Sequence, residues 1–387
     1  MIGRIIKWIF CAALSLLAAL IIVVAGFVAL LGLDEAKVTQ FARFFATMRF
    51  IEMEYVDEVD PSKLIDGAIA GMVRSLGDPH SAYLDPMTYK KLKEHSEGTF
   101  GGIGVVMGFD DAEVKVISVM EGTPGESAGL KAGDRILRVD GEETKEMEPE
   151  IVAASIRGEA GSQVVLTIGR NGEPNRDYAI TRDHIRVKTV AGRMIEGEPG
   201  IGYIRIVQFS ENTAKEFKEA LSSLRGAGAR GLILDLRSNP GGLLTSCVDI
   251  AKEIVPAGLI VSVVERDGTR EEYFSELSSS VMPMVVLIDG NSASASEILA
   301  GALHDTGAAE LVGKTSYGKG SVQVIMPIPG QADAVKLTVA RYYTSSGASI
   351  QGKGIRPDIE VELPEGATED TQLNAAIRRM KGLLTGK

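Results

Sequence analysis

MVVLIDGNSASASEILAGALH, residues 284–304, is the stretch on which the fold class turns. The apolar run Met284–Ile288 has the length and composition of a strand. Turn residues follow, and Ser294–His304 reads as a helix. The neighbouring sequence repeats the pattern. Ile201–Val207 reads as a strand, Thr213–Leu224 as a helix, Gly231–Leu236 as a strand, Leu243–Val255 as a helix and Ile260–Glu265 as a strand. Such alternation predicts an α/β layer with substantial parallel sheet. Glu369–Leu384 closes the chain as a short amphipathic helix.

Upstream, the pattern changes. From Gly98 to Asp183, short strands such as Val114–Val119, Asp134–Val139 and Val164–Arg170 are separated by turn residues, Asn171-Gly172 among them. One helix, Pro149–Ile156, interrupts them. Residues 34–97 read as helical: Phe41, Phe44, Phe45, Met48 and Ile51 follow one helix face, and a second helix runs from Pro61 to Leu76 before Gly77-Asp78-Pro79. The aromatic stripe is expected to be core or a subunit contact, and it could support a homodimer.

Ile9–Leu33 carries no charge. At ~1.5 Å per residue this run reaches roughly 37 Å, enough for ~30 Å of hydrocarbon. Arg4 and Lys7 precede it and Asp34 and Glu35 follow, which by the positive-inside rule predicts a single-pass inner-membrane anchor with the remainder periplasmic or extracytoplasmic. A cleaved signal peptide is the competing reading, with a shorter apolar region and a small-residue cleavage site. The 387 residues carry a net charge of −11 and no basic run, so nucleic acid is not an expected partner. Two cysteines, Cys11 and Cys247, and four histidines without an HExxH arrangement give no expected disulfide, metal site or cofactor.

Chemistry concentrates in two places. Ser294 and Glu297 form an S-x-x-E capping box, which by itself makes Ser294 an N-cap. The same strand-to-helix turn exposes a hydroxyl beside helix N-terminal N–H groups, an oxyanion site with the Ala295 N–H as natural donor. A nucleophilic serine needs a base. His304 and Asp305 suggest a triad, but His304 lies ~15 Å along the same helix and cannot reach back. Lys319, between Gly318 and Gly320, can turn toward apolar surroundings that favour its neutral form, although a solvated turn lysine is the plainer reading. The second place is Gly98–Val105, a glycine-rich loop running into an apolar strand, which suits either an anion nest or a tight turn.

With Ser127–Ile136 and Val139-Asp140-Gly141, that loop resembles a PDZ domain over residues 98–183. The resemblance implies that Gly101, Gly102, Ile103 and Gly104 hold a peptide's terminal carboxylate while the peptide adds as a strand. Further along, Leu76–Ser81, Leu234–Leu243, Ser294 with its surroundings, and Gly318–Gln323 resemble, in order, the C-terminal processing (tail-specific) proteases. The likeness spans about residues 40–363. It implies an α/β core of the crotonase/ClpP-like kind with an inserted PDZ domain, an N-terminal helical region and an N-terminal transmembrane helix. Domains are then expected at 1–33 (anchor), 34–97 (helical), 98–183 (PDZ), 184–366 (Ser-Lys protease core) and 367–387 (C-terminal helix).

The resemblance also implies Ser294 as nucleophile, Lys319 as general base and Gln323 as the residue orienting the lysine. Gly241 or Gly242 is the second oxyanion donor beside Ala295, a choice the sequence leaves open. In an ideal strand, positions 319 and 323 are ~13 Å apart, so a contact between them requires a bend. Asp235 is expected to brace its loop. Arg157 matches a PDZ arginine that in some relatives couples peptide binding to the active site, and it reads equally as a surface arginine. The function implied is a membrane-anchored, extracytoplasmic serine endopeptidase acting on protein or peptide substrates with free C-termini. A non-catalytic PDZ scaffold is the alternative. A crotonase-like acyl-CoA enzyme, the third option, would lack the PDZ insert.

Overall fold

The structure, a computed structural model, describes residues 34–110, 113–147, 149–170, 172–364 and 366–386. They divide between Tyr83 and Leu84 into two compact units. The first holds helices α1 (Glu35–Glu54) and α2 (Pro61–Arg74). Asp34 caps α1 by accepting from the Lys37 N–H at 2.8 Å, and Asp60 caps α2 by accepting from that of Ser62 at 2.9 Å. The stripe on α1 is not core of this unit: Phe41, Phe44, Phe45 and Ile51 are exposed and Met48 is half-buried.

The second unit begins with α3 (Pro86–Glu97) and β1 (Thr99–Gly102). An antiparallel sheet follows, β2 (Val105–Asp110), β3 (Glu113–Val119), β4 (Arg135–Val139), β5 (Gln163–Gly169) and β6 (Arg176–Thr181), in that spatial order. Alternate residues of β5, Val164, Leu166 and Ile168, point into its core and meet Val152 and Ile156 from helix α4 (Pro149–Ile156). The chain leaves on β7 (Asp183–Arg186), antiparallel to β1, with Gly101 opposite His184.

The remaining strands make two sheets. One is ordered β8 (Val190–Met194), β9 (Ile201–Ile206), β10 (Gly231–Asp235), β13 (Met284–Ile288), β14 (Ala309–Gly313) and β17 (Ile359–Glu360), parallel except at β8. Every residue of β10 and β13 is buried; β13 is apolar throughout, and β10 is apolar up to its last residue, Asp235. Helices α5 (Thr213–Gly226), α6 (Leu244–Ile254) and α7 (Ala295–Asp305) share one large core with this sheet, and α8 (Thr371–Thr385) contributes to a smaller one. The other sheet is antiparallel, with β15 (Ser321–Pro327), β16 (Ala334–Thr344), β11 (Gly258–Glu265) and β12 (Arg270–Ser275) as neighbours in that order. Helix α7 packs against β11, β14 and β16, and every residue from Ala295 to Leu303 is buried.

The expected architecture is corrected on one point. Among the described residues no helix is long and apolar enough to cross a membrane, so the described fold holds no transmembrane helix. The inner-membrane, periplasmic localisation drawn from it loses its structural basis. The run at 9–33 itself lies outside the described residues.

Buried charge ties α8 to the sheet. Asp235, wholly buried, accepts from Tyr203 Oη at 2.7 Å and from Arg237 Nη2 at 2.7 Å. The same guanidinium pairs with both oxygens of Asp370, the N-cap of α8, at 2.8 Å each. Arg237→Ala would strand the Asp235 carboxylate, so urea unfolding should show a loss of about 3–5 kcal/mol. Burial opposes the charge of Asp370, but Arg237 and the Leu373 N–H outweigh it and hold the carboxyl below its ordinary value. Its stabilising contribution is therefore complete above the unfolded carboxylate value of ~3.9 and is lost as pH falls through the lower folded value. Asp370→Asn should flatten acid unfolding in that window, and an unchanged acid limb would count against the assignment.

Candidate active site

Strand β13 ends at Ile288 and α7 begins at Ala295, so the chain must reverse within a few residues. It does so through Ser294 at φ 55° and ψ −115°, a strained conformation for a residue with a side chain. Hydrogen bonds to the loop after β10 hold the turn in place. The Ser292 hydroxyl donates to the Leu236 carbonyl at 2.8 Å, and the Ala293 N–H and Ser296 hydroxyl both donate to the Asn239 carbonyl. Asp289 Oδ1 accepts from the Ser238 N–H at 2.9 Å. Ser292 and Ser296 are fully buried with their hydroxyls engaged, whereas Ser294 is half-buried at the turn's apex.

Glu297 joins this turn to a second segment. Its Oε2 accepts from the Ser294 N–H at 2.8 Å and from the Lys319 N–H at 2.9 Å. Its Oε1 accepts from the Ser316 hydroxyl at 2.6 Å and the Gly318 N–H at 2.7 Å. One buried carboxylate therefore sets the backbone of Ser294 against that of Lys319. The lysine loop is fixed from its other side, where the Gly320 N–H donates to Gln351 Oε1 and the Gly352 N–H to the Gly318 carbonyl. Lys319 itself is half-buried. Gln323 lies just beyond a β-bulge between Val322 and Gln323, and its Nε2 donates to Ser321 Oγ at 2.9 Å and Thr338 Oγ1 at 3.1 Å. The bulge supplies a departure from ideal strand geometry between Lys319 and Gln323.

Gly241 approaches the turn most closely. A Cβ there would lie 2.8 Å from Ser294 Cβ, 2.7 Å from the Ala293 oxygen and 3.0 Å from the Ala295 nitrogen, and its φ of 100° excludes most side chains. The Gly241 N–H donates to Asn239 Oδ1 at 2.9 Å. The Gly242 N–H makes no hydrogen bond among the described residues.

The structure thus brings Ser294, Ala295, Gly241 and the Lys319 backbone into one neighbourhood. His304 is at the far end of α7, with Nε2 3.1 Å from Asp358 Oδ1. Gly101, Gly102, Ile103 and Gly104 are buried at the entry of the smaller sheet. Arg157 is exposed, with its guanidinium 4.9 Å from the Phe100 ring centroid. Among the described residues no three His, Cys, Asp or Glu side chains converge as a metal site. Sequence reading missed the clamp formed by Glu297, which local pattern shows only as a cap. It also missed Asn239, whose only signal is its place in Asn239-Pro240-Gly241-Gly242.

Gly241→Ala would force a methyl group onto Ser294 and the Ala295 N–H. It should abolish labelling of Ser294 by a fluorophosphonate probe without unfolding the chain. Glu297→Gln exchanges one acceptor oxygen for an NH₂ facing two N–H donors, and should slow labelling at least about tenfold while costing roughly 1–3 kcal/mol of stability. Normal labelling of both variants would show that neither contact matters to the serine.

Comparison with known proteins identifies the family. The profile of the PDZ domain matches residues 115–170, that of the activating protease CtpB N-terminal domain 32–88, and that of peptidase family S41 200–361. The carboxy-terminal processing protease CtpA of Bacillus subtilis is 39% identical over 354 residues, covering 90% of this chain and 75% of that protein. The carboxy-terminal-processing protease of Bartonella bacilliformis is 40% identical over 339 residues, covering 86% and 77%. Among solved structures, the photosystem II D1 C-terminal processing protease is 31% identical with a TM-score of 0.50, covering 87% of this chain and 96% of that one. The chain belongs to peptidase family S41 and is a serine peptidase of the carboxy-terminal processing kind with a PDZ domain.

Proposed function

We propose that this peptidase captures the free C-terminus of a protein substrate in its PDZ domain and cleaves the chain by a Ser294–Lys319 mechanism. The observation that carries the reading is the single carboxylate oxygen of Glu297 bound to the N–H groups of both residues. Ser294 Oγ attacks the peptide carbonyl as the neutral Lys319 amine takes its proton. The tetrahedral oxyanion rests on the Ala295 N–H and a second backbone donor. Gly242 is the better choice for that donor, because the Gly241 N–H is already given to Asn239. Collapse releases the amine with the proton returned from Lys319, and water then hydrolyses the acyl-enzyme. Gln323 has both N–H bonds committed to Ser321 and Thr338, which leaves its amide oxygen to accept from the lysine.

Tail capture rests on the loop before β2. Gly104 has a φ of 76°, and the N–H groups of Ile103 and Gly104 make no hydrogen bond among the described residues, as a nest for a carboxylate requires. Strand β2 is an edge of its sheet and can take a peptide as one more strand. Arg157, stacked on Phe100 just ahead of that loop, adds positive charge near the bound terminus.

Arginine keeps its charge at every working pH, so Lys319→Arg should be as inactive as Ser294→Ala, each losing at least about 10³-fold in kcat. Gln323→Ala should lose about tenfold if the amide only orients the amine. Amidating the substrate's C-terminus should raise KM roughly 10- to 100-fold with kcat little changed, from the loss of a charge-assisted contact. Peptide cleavage by the four proteins, with circular dichroism on each, checks all three expectations. Turnover by Lys319→Arg near that of the parent would remove the dyad, and equal KM values for free and amidated peptides would remove carboxylate capture.

A further inference from the structure

Tyr342 is a buried polar side chain that the mechanism above does not use. It lies on β16 opposite Val263 of β11, and its backbone N–H donates to the Gly320 carbonyl at 3.1 Å, directly after Lys319. Only 2% of the residue is exposed, and it belongs to the same core as Ala295, Ile298 and Cys247. The hydroxyl is fully buried and, among the described residues, has no hydrogen-bond partner. Leaving a phenol dry and unpaired is unfavourable, and proteins avoid it unless some state of the cycle supplies the partner. The polar side chains near it are Ser294, Glu297 and Cys247, and the Cys247 thiol already donates to the Ala295 carbonyl. Both oxygens of Glu297 already accept two donors each, so Ser294 is the partner left.

We infer that Tyr342 is a positioning residue for the nucleophile: in the cleavage-competent state its hydroxyl donates to Ser294 Oγ and selects the serine rotamer that faces both the scissile carbonyl and Lys319. The inference deepens the Ser294 reading and rests on it. Three features fit. Ser294 has an unusual backbone conformation, so its own helix turn does not dictate the rotamer in the ordinary way. The Tyr342 ring is held on a central strand and cannot swing away. Burial and the nearby negative Glu297 push the phenol well above its ordinary value. The group is therefore a neutral donor throughout the working range and does not compete with Lys319 for the proton. No proton leaves Tyr342 at any step.

Tyr342→Phe keeps the ring and removes the one atom in question. Two readouts are taken on the full chain: kcat and KM for a tailed peptide, and the second-order rate of Ser294 labelling by a small fluorophosphonate, which does not depend on tail capture. The expected result is a fall of about 10- to 100-fold in kcat and in labelling rate, KM unchanged, and a Tm equal to or above that of the parent because an unpaired buried hydroxyl has gone. Parent-like kcat and labelling would overturn the proposal. So would a lower Tm with a smaller labelled fraction but an unchanged labelling rate, since that is the signature of a purely structural hydroxyl. Failure of the parent itself to label at Ser294 would overturn the nucleophile assignment and this inference with it, an outcome distinguishable from the others before the variant is made.

Discussion

The carboxylate of Glu297 is the contact on which the rest of the site depends. It is 1% exposed and accepts four hydrogen bonds, from Ser294, Ser316, Gly318 and Lys319. A buried charge is tolerated only when its lone pairs are satisfied, and here they are. Its location in the first turn of α7 adds the favourable field of the helix N-terminus. Because the donors come from two segments that are far apart in sequence, the ion is stable only when both segments are in place. The same constraint holds Ser294 in its strained conformation: released from the clamp, the turn would relax to an ordinary one and the hydroxyl would move.

A second tier of contacts fixes the opposite wall. Asn239 uses nearly every polar atom it has. Its carbonyl takes the Ala293 N–H and the Ser296 hydroxyl, its Nδ2 donates to the Ile206 carbonyl, and its Oδ1 takes the Gly241 N–H. Gly241 is thus held against the serine turn by one residue, through its side chain on one side and its backbone carbonyl on the other. Behind it, Asp235 and Arg237 carry the connection to Asp370 and Gln372 at the start of α8. Helix α8 thereby supports the loop that faces Ser294. Arg237 suits this task because its planar fork can serve two carboxylates at once.

Parts of this were legible in the sequence for physical reasons. The apolar run Met284–Ile288 and the apolar centre of Gly231–Asp235 have strand length between turn signals, and the strand-turn-helix order at Ser294 follows from local pattern. The clamp was not legible. An S-x-x-E pattern looks the same whether the glutamate caps one helix or also binds a remote loop, because the second set of donors lies far along the chain. The choice between Gly241 and Gly242 depends on the Asn239 side chain, whose direction no spacing rule gives. The separation of Lys319 and Gln323 is modified by a bulge, and a bulge is a pairing property invisible in one strand's sequence. The aromatic stripe of α1 fits a helix face, but periodicity says which residues share a face, not what covers it.

The geometry of the PDZ insertion follows from its two ends. Strands β1 and β7 pair antiparallel, so the chain enters and leaves the module side by side and the module can be carried without breaking the larger core. The same ribbon runs directly into the glycine-rich loop before β2. Gly101 accepts from the Gly158 N–H through its carbonyl, just past the end of α4. Arg182, one residue before β7, closes the circuit by donating to the Ser155 and Ile156 carbonyls at the end of α4 and to Gln163 at the start of β5. Arg182 is 8% exposed, so these bonds are made in a dry environment where they are strong. The loop, the helix end that bears Arg157 and the strand returning to the protease core are therefore parts of one hydrogen-bonded unit. A displacement at the loop is resisted by the ribbon itself, because the same hydrogen bonds hold loop, helix end and returning strand.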